Sequence, residues 1–166
     1  MPPYMDIYKP EYTTFCGCHV RKFALFIGYF ALIMAIFNTI SSGASGFWYY
    51  IPANVIAIVC YVFLILAHYK ENPSYYFPYL IITGLSLLVT PLLIIFFVVL
   101  LSAGYRSIID TDYNESTFRT ILIIFIFVLV IAEIVQLYFW IVVKRAKNYM
   151  ESEVCTGNVH RQQYSV

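Results

Sequence analysis

The stretch Ile121–Val143 is a long apolar run that carries one carboxylate, Glu133, near its middle. Arg119 precedes the run, and a basic cluster at 144–147 follows it. A helix needs about 20 apolar residues to cross the hydrocarbon core of a bilayer. The whole chain is 61% hydrophobic and 11% charged, whereas soluble domains have about 25% charged residues. We therefore predict an integral membrane protein with a membrane-spanning helix in this stretch.

Glu133 and Gln136 are three residues apart and therefore share one face of that helix. A charged carboxylate near the centre of a bilayer costs at least ~2.5–3.5 kcal/mol unless it is protonated, paired or hydrated. We therefore expect Glu133 to face other protein. The preferred partner is a face of the third span on which hydroxyl residues recur at spacings of three and four, namely Thr83, Ser86 and Thr90. Two roles fit this face. It could pack against another helix with its hydrogen bonds satisfied, or it could line a polar path through the bundle.

Three further apolar segments precede this helix. Residues 23–67 contain no charged residue and no histidine, and one helix of that length would be about twice as long as a bilayer requires. Small residues at 41–46, an aromatic cluster and Pro52 indicate a turn that divides the segment in two. We predict an all-α membrane protein with four transmembrane helices in an antiparallel bundle. The transmembrane domain covers residues 22–147, and its helices cover residues 22–41, 51–68, 79–103 and 120–144.

The distribution of lysine and arginine predicts the orientation in the membrane. Of ten such residues, three lie at or before the start of the first helix, one lies between the second and third helices, and four lie at or after the end of the last helix. The positive-inside rule therefore places the N-terminal segment 1–21 and the C-terminal segment 148–166 in the cytosol. The same orientation puts the sequon Asn114-Glu-Ser116 on the lumenal or outer side. Asn114 is therefore a candidate for glycosylation.

Both terminal segments are polar, and we predict that residues 1–22 and 148–166 lack stable structure. Two stretches, Tyr4-Met-Asp-Ile7 and Tyr12-Thr-Thr-Phe15, have the form Tyr-x-x-bulky apolar, which clathrin adaptors of endosomal sorting bind as an extended peptide. We take Tyr4 to Ile7 as the candidate sorting motif. The chain ends in Tyr164-Ser165-Val166, which has apolar residues at the last and third-last positions. A PDZ domain is the partner predicted for such an end.

Cys16 and Cys18 lie beside basic residues at the edge of the first helix, which makes them candidates for palmitoylation. Reduced cytosolic thiols are an equally good interpretation. With His19 they provide three candidate metal ligands, one fewer than a tetrahedral zinc site requires. We therefore predict no metal site. None of the four cysteines falls in a predicted outer loop, so we expect no structural disulfide.

The sequence contains no catalytic constellation. The three histidines, His19, His68 and His160, lie in different segments, and neither a nucleophile motif nor a phosphate-binding glycine loop is present. We therefore predict that the protein is not an enzyme and binds no cofactor. The net charge of +1 gives no reason to expect nucleic acid as a partner.

The segment Phe15-Cys-Gly-Cys-His-Val-Arg21 abuts the first helix. It resembles the cysteine-rich block that precedes the first helix in the lysosomal-associated transmembrane protein family, and the four-span layout with cytosolic termini is also similar. The resemblance implies a late-endosomal or lysosomal membrane protein that binds or sorts other membrane proteins or lipids. The chain departs from that family in lacking Pro-Pro-x-Tyr motifs in its C-terminal segment. Its layout is also similar to MARVEL-type four-span proteins of vesicles and junctions.

Three functions are compatible with these features. The first is a non-enzymatic adaptor or regulator of sorting in endosomal or lysosomal membranes, with the plasma membrane as the alternative location. Its partners would be the lipid bilayer and other membrane proteins. The second is a small proton-coupled transporter or channel subunit that uses Glu133, in which several chains would assemble into an oligomer. The third is a structural MARVEL-like tetraspan that organises membrane domains.

Overall fold

The computed structural model describes residues 9–103 and 115–156. Within these residues, four helices are long and apolar enough to cross a membrane. This confirms the prediction of an α-helical protein with four candidate membrane spans. The helices are α1 (Val20–Ala44), α2 (Ile51–Lys70), α3 (Phe77–Ala103) and α4 (Glu115–Tyr149).

Most helices extend beyond the predicted limits. α1 continues through small residues that were expected to form a turn and ends at Ala44, and α4 begins at Glu115 and ends at Tyr149. Apolarity marks only the part of a helix that lies in hydrocarbon, whereas the backbone hydrogen bonds continue into the polar flanks. At the end of α4, an ion pair between Lys147 and Glu151, 2.9 Å apart and one helical turn apart in sequence, supports this continuation.

Short turns connect the first three helices. Pro52 lies in the first turn of α2, as predicted, and a 3₁₀ turn at Trp48–Tyr50 precedes it. α2 ends at Lys70, and the capping residue Glu71 adopts a left-handed conformation with φ of 53°. The side chain of Asn72 then accepts a 2.9 Å hydrogen bond from the backbone N–H of Ser74 and starts a 3₁₀ turn. These caps stabilise the compact connection to α3.

The described chain forms two compact units, one of residues 9–81 with 139–156 and the other of residues 82–103 with 115–138. The core of the first unit lies where the beginning of α1 meets the end of α2. Its largest fully buried side chains include Ile27, Leu64, Tyr76, Val143 and Tyr149. The hydrophobic core is therefore concentrated at one end of this unit.

The second unit consists of the later part of α3 and the earlier part of α4. Its large apolar side chains are mostly exposed, including Leu88 at 70% and Phe127 at 65%. Phe97 and Phe125 pack edge to face, with ring centroids 5.3 Å apart. An exposed apolar surface of this extent requires hydrocarbon or other membrane helices around it.

Gly28 allows α1 and α2 to approach closely. A Cβ atom at this position would lie 2.9 Å from Cγ1 of Ile65 and 3.5 Å from Cγ of Leu64. Because 2.9 Å is shorter than a normal carbon–carbon contact, α1 and α2 would have to separate or repack around any larger residue.

We expect Gly28→Ala to destabilise the first unit by about 1–3 kcal/mol, the usual cost of overpacking a close contact. Gly43→Ala, in the same helix, is the matched control because its Cβ would meet nothing within 4 Å. That control should be neutral or stabilising by ~0.5–1 kcal/mol. Thermal unfolding in detergent measures both, and equal midpoints would show that the close approach is unimportant.

Candidate functional site

The described part of the N-terminal segment folds back onto the chain that follows α4. The ammonium nitrogen of Lys9 lies 2.9 Å from Oε1 of Glu153, and the hydroxyl of Tyr12 donates a 3.2 Å hydrogen bond to the same oxygen. The ring of Tyr12 packs edge-on against Tyr149 with centroids 4.9 Å apart, and His19 packs against the same ring at 4.6 Å. We call these five residues the terminal junction because they join the two ends of the chain.

Local sequence explains how the N-terminal residues reach this position. Pro10 fixes the first turn of a short 3₁₀ helix that ends at Tyr12. The following seven residues, Thr13–His19, form a tight turn that we call the cysteine turn. In it the backbone N–H of Thr14 donates to the carbonyl oxygen of Cys18 at 2.8 Å, and that of Gly17 donates to Thr14 at 2.9 Å. Gly17 has φ of 73°, a left-handed conformation that glycine adopts without strain.

His19 links the cysteine turn to the first membrane helix. Its Nδ1 atom accepts a hydrogen bond from the backbone N–H of Arg21 at 3.3 Å, so its side chain caps the N-terminus of α1. The residue is only 1% exposed. His19 therefore has a structural role at the start of the helix as well as an aromatic contact in the terminal junction.

A π-helical segment at Met150–Val154 positions Glu153 for these contacts. Glu153 is only 7% exposed, and the preceding Tyr149 and Met150 are fully buried. A π turn changes the direction of side chains relative to an α-helix and is often found at functional positions. Here it continues the helical chain past α4 and directs a buried carboxylate toward the N-terminal segment.

The terminal junction corrects the prediction that both terminal segments lack stable structure. That prediction is wrong for residues 9–19 and for residues 148–154, which are ordered by contacts with each other. Sequence reasoning missed these contacts because they join residues about 140 positions apart and neither segment has a helical or strand periodicity. The pairing of a basic and an acidic residue near opposite ends was visible, but nothing in the sequence specified that the two would meet.

The charge and hydrogen-bonding of Glu153 raise the pKa of Lys9 above the usual lysine value of 10.5. As long as Glu153 is ionised, the contribution of the Lys9 charge to stability is therefore present below pH 10.5 and is lost as the pH rises past the raised value. At neutral pH the ammonium group is charged and the ion pair is intact.

A second ion pair joins α1 to the end of α2. The guanidinium group of Arg21 lies 3.1 Å from Oε1 of Glu71 and donates to the backbone carbonyl of His68 at 3.2 Å. The two side chains are 8% and 16% exposed, so the pair is largely removed from solvent. Removing either partner of such a buried pair typically costs 3–5 kcal/mol, roughly the penalty of leaving one charge uncompensated.

Aromatic and basic residues attach the last turns of α4 to the beginning of α3. The indole N–H of Trp140 donates a 3.0 Å hydrogen bond to the carbonyl oxygen of Leu80. The ammonium group of Lys147 lies 4.4 Å from the centre of the Phe77 ring. Both are contacts of the kind found where a membrane helix leaves hydrocarbon, because each side chain has an apolar body and a polar end.

The five predicted intramembrane polar residues all lie in the second unit and are all half-buried: Thr83, Ser86, Thr90, Glu133 and Gln136. The hydroxyl of Thr90 donates to the backbone carbonyl of Ser86 at 3.0 Å, within its own helix. Among the described residues, Oε2 of Glu133 is buried and accepts no hydrogen bond. The Thr90 hydroxyl is thus satisfied on the preceding turn of its own helix, as is common for threonine. That the hydroxyl face of α3 is the partner of Glu133 and Gln136 stays a prediction.

The other predicted site residues have different outcomes. Cys16 and Cys18 are exposed free thiols on the cysteine turn. The sorting motif Tyr4 to Ile7, the glycosylation candidate Asn114 and the PDZ-ligand residues Tyr164 and Val166 lie outside the described residues. Among the residues that are described, no group of three or more His, Cys, Asp or Glu side chains is placed to hold a metal ion.

We expect a charge reversal at either end of the terminal junction to release the N-terminal segment. Lys9→Glu and Glu153→Lys should each place like charges together, whereas the double variant should restore the ion pair. Limited proteolysis between residues 9 and 19 measures the release. Lys70→Glu is the control, because this exposed lysine lies at the end of α2 and contacts the ring of Tyr75, outside the junction. Equal cleavage rates in all variants would contradict a stabilising role for this pair.

Comparison with known proteins finds no matching family model, no similar curated protein and no similar solved structure. The resemblance to lysosomal-associated transmembrane proteins therefore rests on the block Phe15–Arg21 and on the four-span layout. Function has to be inferred from the geometry of the chain itself.

Proposed function

We propose that the protein is a non-enzymatic four-span adaptor of endosomal or lysosomal membranes that regulates the sorting of other membrane proteins or lipids. The observation that carries this proposal is the terminal junction, in which Lys9 and Tyr12 contact Glu153. These contacts turn two polar terminal segments into one folded surface. Because the loops between the first three helices are short, this surface is the part of the chain best suited to bind a partner outside the membrane.

The proposal includes an antiparallel bundle with both termini in the cytosol. The contact between Lys9, before the first span, and Glu153, after the last, supports this arrangement, because two segments on opposite sides of a bilayer could not meet. Four spans satisfy this requirement, because an even number returns the chain to its starting side. The positive-inside rule identifies that side as the cytosol.

The terminal junction also favours one of the two Tyr-x-x-bulky apolar stretches as the sorting motif. Tyr12 is held by its hydroxyl on Glu153 and by its ring on Tyr149, so the stretch that begins there is not in an extended, accessible form. The stretch from Tyr4 to Ile7 precedes the junction by one residue. We therefore assign it as the segment that a clathrin adaptor binds.

Localisation of a tagged chain tests the proposed function. We expect the unaltered protein in lysosomes or late endosomes and Tyr4→Ala at the plasma membrane, because the substitution removes the side chain that the adaptor recognises. Tyr8→Ala is the matched control, since it makes the same change in the same segment but Tyr8 begins no Tyr-x-x-bulky apolar stretch. Plasma-membrane residence of the unaltered protein would contradict the endolysosomal assignment.

A proton-coupled transporter or channel subunit is the second candidate, and one observation favours it. Oε2 of Glu133 is buried near the middle of α4 and has no hydrogen-bond partner among the described residues. Ionisable residues within a membrane helix are costly and usually serve an ion or proton pathway. In such a role several chains would assemble so that this carboxyl group lines a path between them.

Proton flux into proteoliposomes separates the two candidates. An adaptor should give no flux above that of empty liposomes, and Glu133→Gln should leave its cellular location unchanged. A transporter should give flux that Glu133→Gln abolishes. Glu151→Gln is the control because it removes an exposed carboxylate outside hydrocarbon.

A further inference from the structure

The cysteine turn presents an apolar side chain and two thiols at its tip. Phe15 is 97% exposed, and Cys16 and Cys18 are exposed free thiols. These exposed side chains belong to an ordered turn, because hydrogen bonds close the turn on both sides of its tip. Besides the two backbone bonds described above, the hydroxyl of Thr14 donates to the carbonyl oxygen of Cys18 at 2.9 Å. The tip is therefore a fixed part of the fold.

The turn is attached directly to a membrane helix. His19 closes the turn through a bridge with Thr13 and also caps α1, which begins at Val20. Its tip is thus held beside the point where the chain enters the bilayer. Full burial of a phenylalanine side chain stabilises a protein by about 1.5–3 kcal/mol. Because Phe15 is exposed, the folded protein lacks this stabilisation. At this position the side chain of Phe15 meets the boundary between lipid headgroups and acyl chains. Aromatic side chains favour that boundary.

We propose that Cys16 and Cys18 are S-acylated with long-chain fatty acids and that Phe15 positions them by inserting into the bilayer surface. The donor is a long-chain acyl-CoA, a thioester that partitions into the same boundary. The sulfur of each cysteine attacks the thioester carbonyl carbon, a new carbon–sulfur bond forms, and the bond to the CoA sulfur breaks. The thiol proton ends on the released CoA, so one thioester replaces another without an oxidant or reductant.

The geometry distinguishes these cysteines from the other two. Cys60 is buried within α2, where an acyl donor cannot reach it. Cys155 is exposed, but it follows the π-helical segment and has no exposed large apolar residue beside it in the described chain. A single acyl chain gives only marginal membrane binding, whereas two give stable attachment. Two acylated cysteines would fix the turn, and through His19 the terminal junction, to the membrane surface.

The inference rests on the proposed orientation, because acyl-CoA is available on the cytosolic side. Free thiols are first blocked with N-ethylmaleimide, and hydroxylamine then releases the acyl groups. Reaction of the newly freed thiols with a polyethylene glycol maleimide counts the acylated positions by a mass shift. We expect two shifts in the unaltered protein purified from cells, none in the Cys16→Ser/Cys18→Ser double variant and two in Cys155→Ser. Phe15→Ser, which retains both thiols, should lose most of the shifted protein.

Several results would overturn the proposal. They are an absence of shifts in the unaltered protein, shifts that persist in the double variant, and full modification of Phe15→Ser. Labelling of intact membranes with an impermeant maleimide, using the protein after hydroxylamine treatment, reports the side of the thiols independently. Thiols on the lumenal side would contradict the orientation itself, whereas cytosolic thiols without shifts would contradict acylation alone.

Discussion

The bilayer imposes the constraint on which the rest of this structure depends. Hydrocarbon offers no partner for a backbone N–H or carbonyl group, so each span must satisfy these groups internally as a helix. It also removes most of the hydrophobic gain from packing one apolar helix on another. This accounts for the exposed side chains of the second unit, such as Leu88 and Phe127. Specific packing is instead concentrated where helices leave hydrocarbon, at Arg21 with Glu71 and at Trp140 with Leu80.

Glu133 and Glu153 show how position decides the role of a carboxylate. Glu153 lies beyond the hydrocarbon segment of α4, and an ammonium group and a phenol hydroxyl compensate its burial. Glu133 lies within the span, where one of its oxygens is buried without a hydrogen bond among the described residues. Glu153 therefore stabilises a tertiary contact. Glu133 instead imposes a free-energy cost that only a second polar partner, a proton or water can offset.

The membrane helices were predictable because their signal is local. Long apolar runs, Pro52 in a first turn and small residues near a helix end each depend on neighbours within a few positions. The helix limits were less predictable, since α4 continues to Tyr149 through polar residues that hydropathy does not recognise. The terminal junction was not predictable at all. It depends on Lys9 and Glu153 meeting across the whole chain, and periodicity carries no information about such a pair.

The order of the N-terminal segment depends on both ends of the chain at once. The cysteine turn is held on one side by His19, which caps α1, and on the other by the 3₁₀ turn that ends at Tyr12. Tyr149 contacts both His19 and Tyr12, so one buried ring of α4 supports both sides of the turn. A partner that binds the C-terminal segment and displaces Tyr149 would therefore loosen the N-terminal segment as well. This coupling follows from the contacts that Tyr149 shares with both residues.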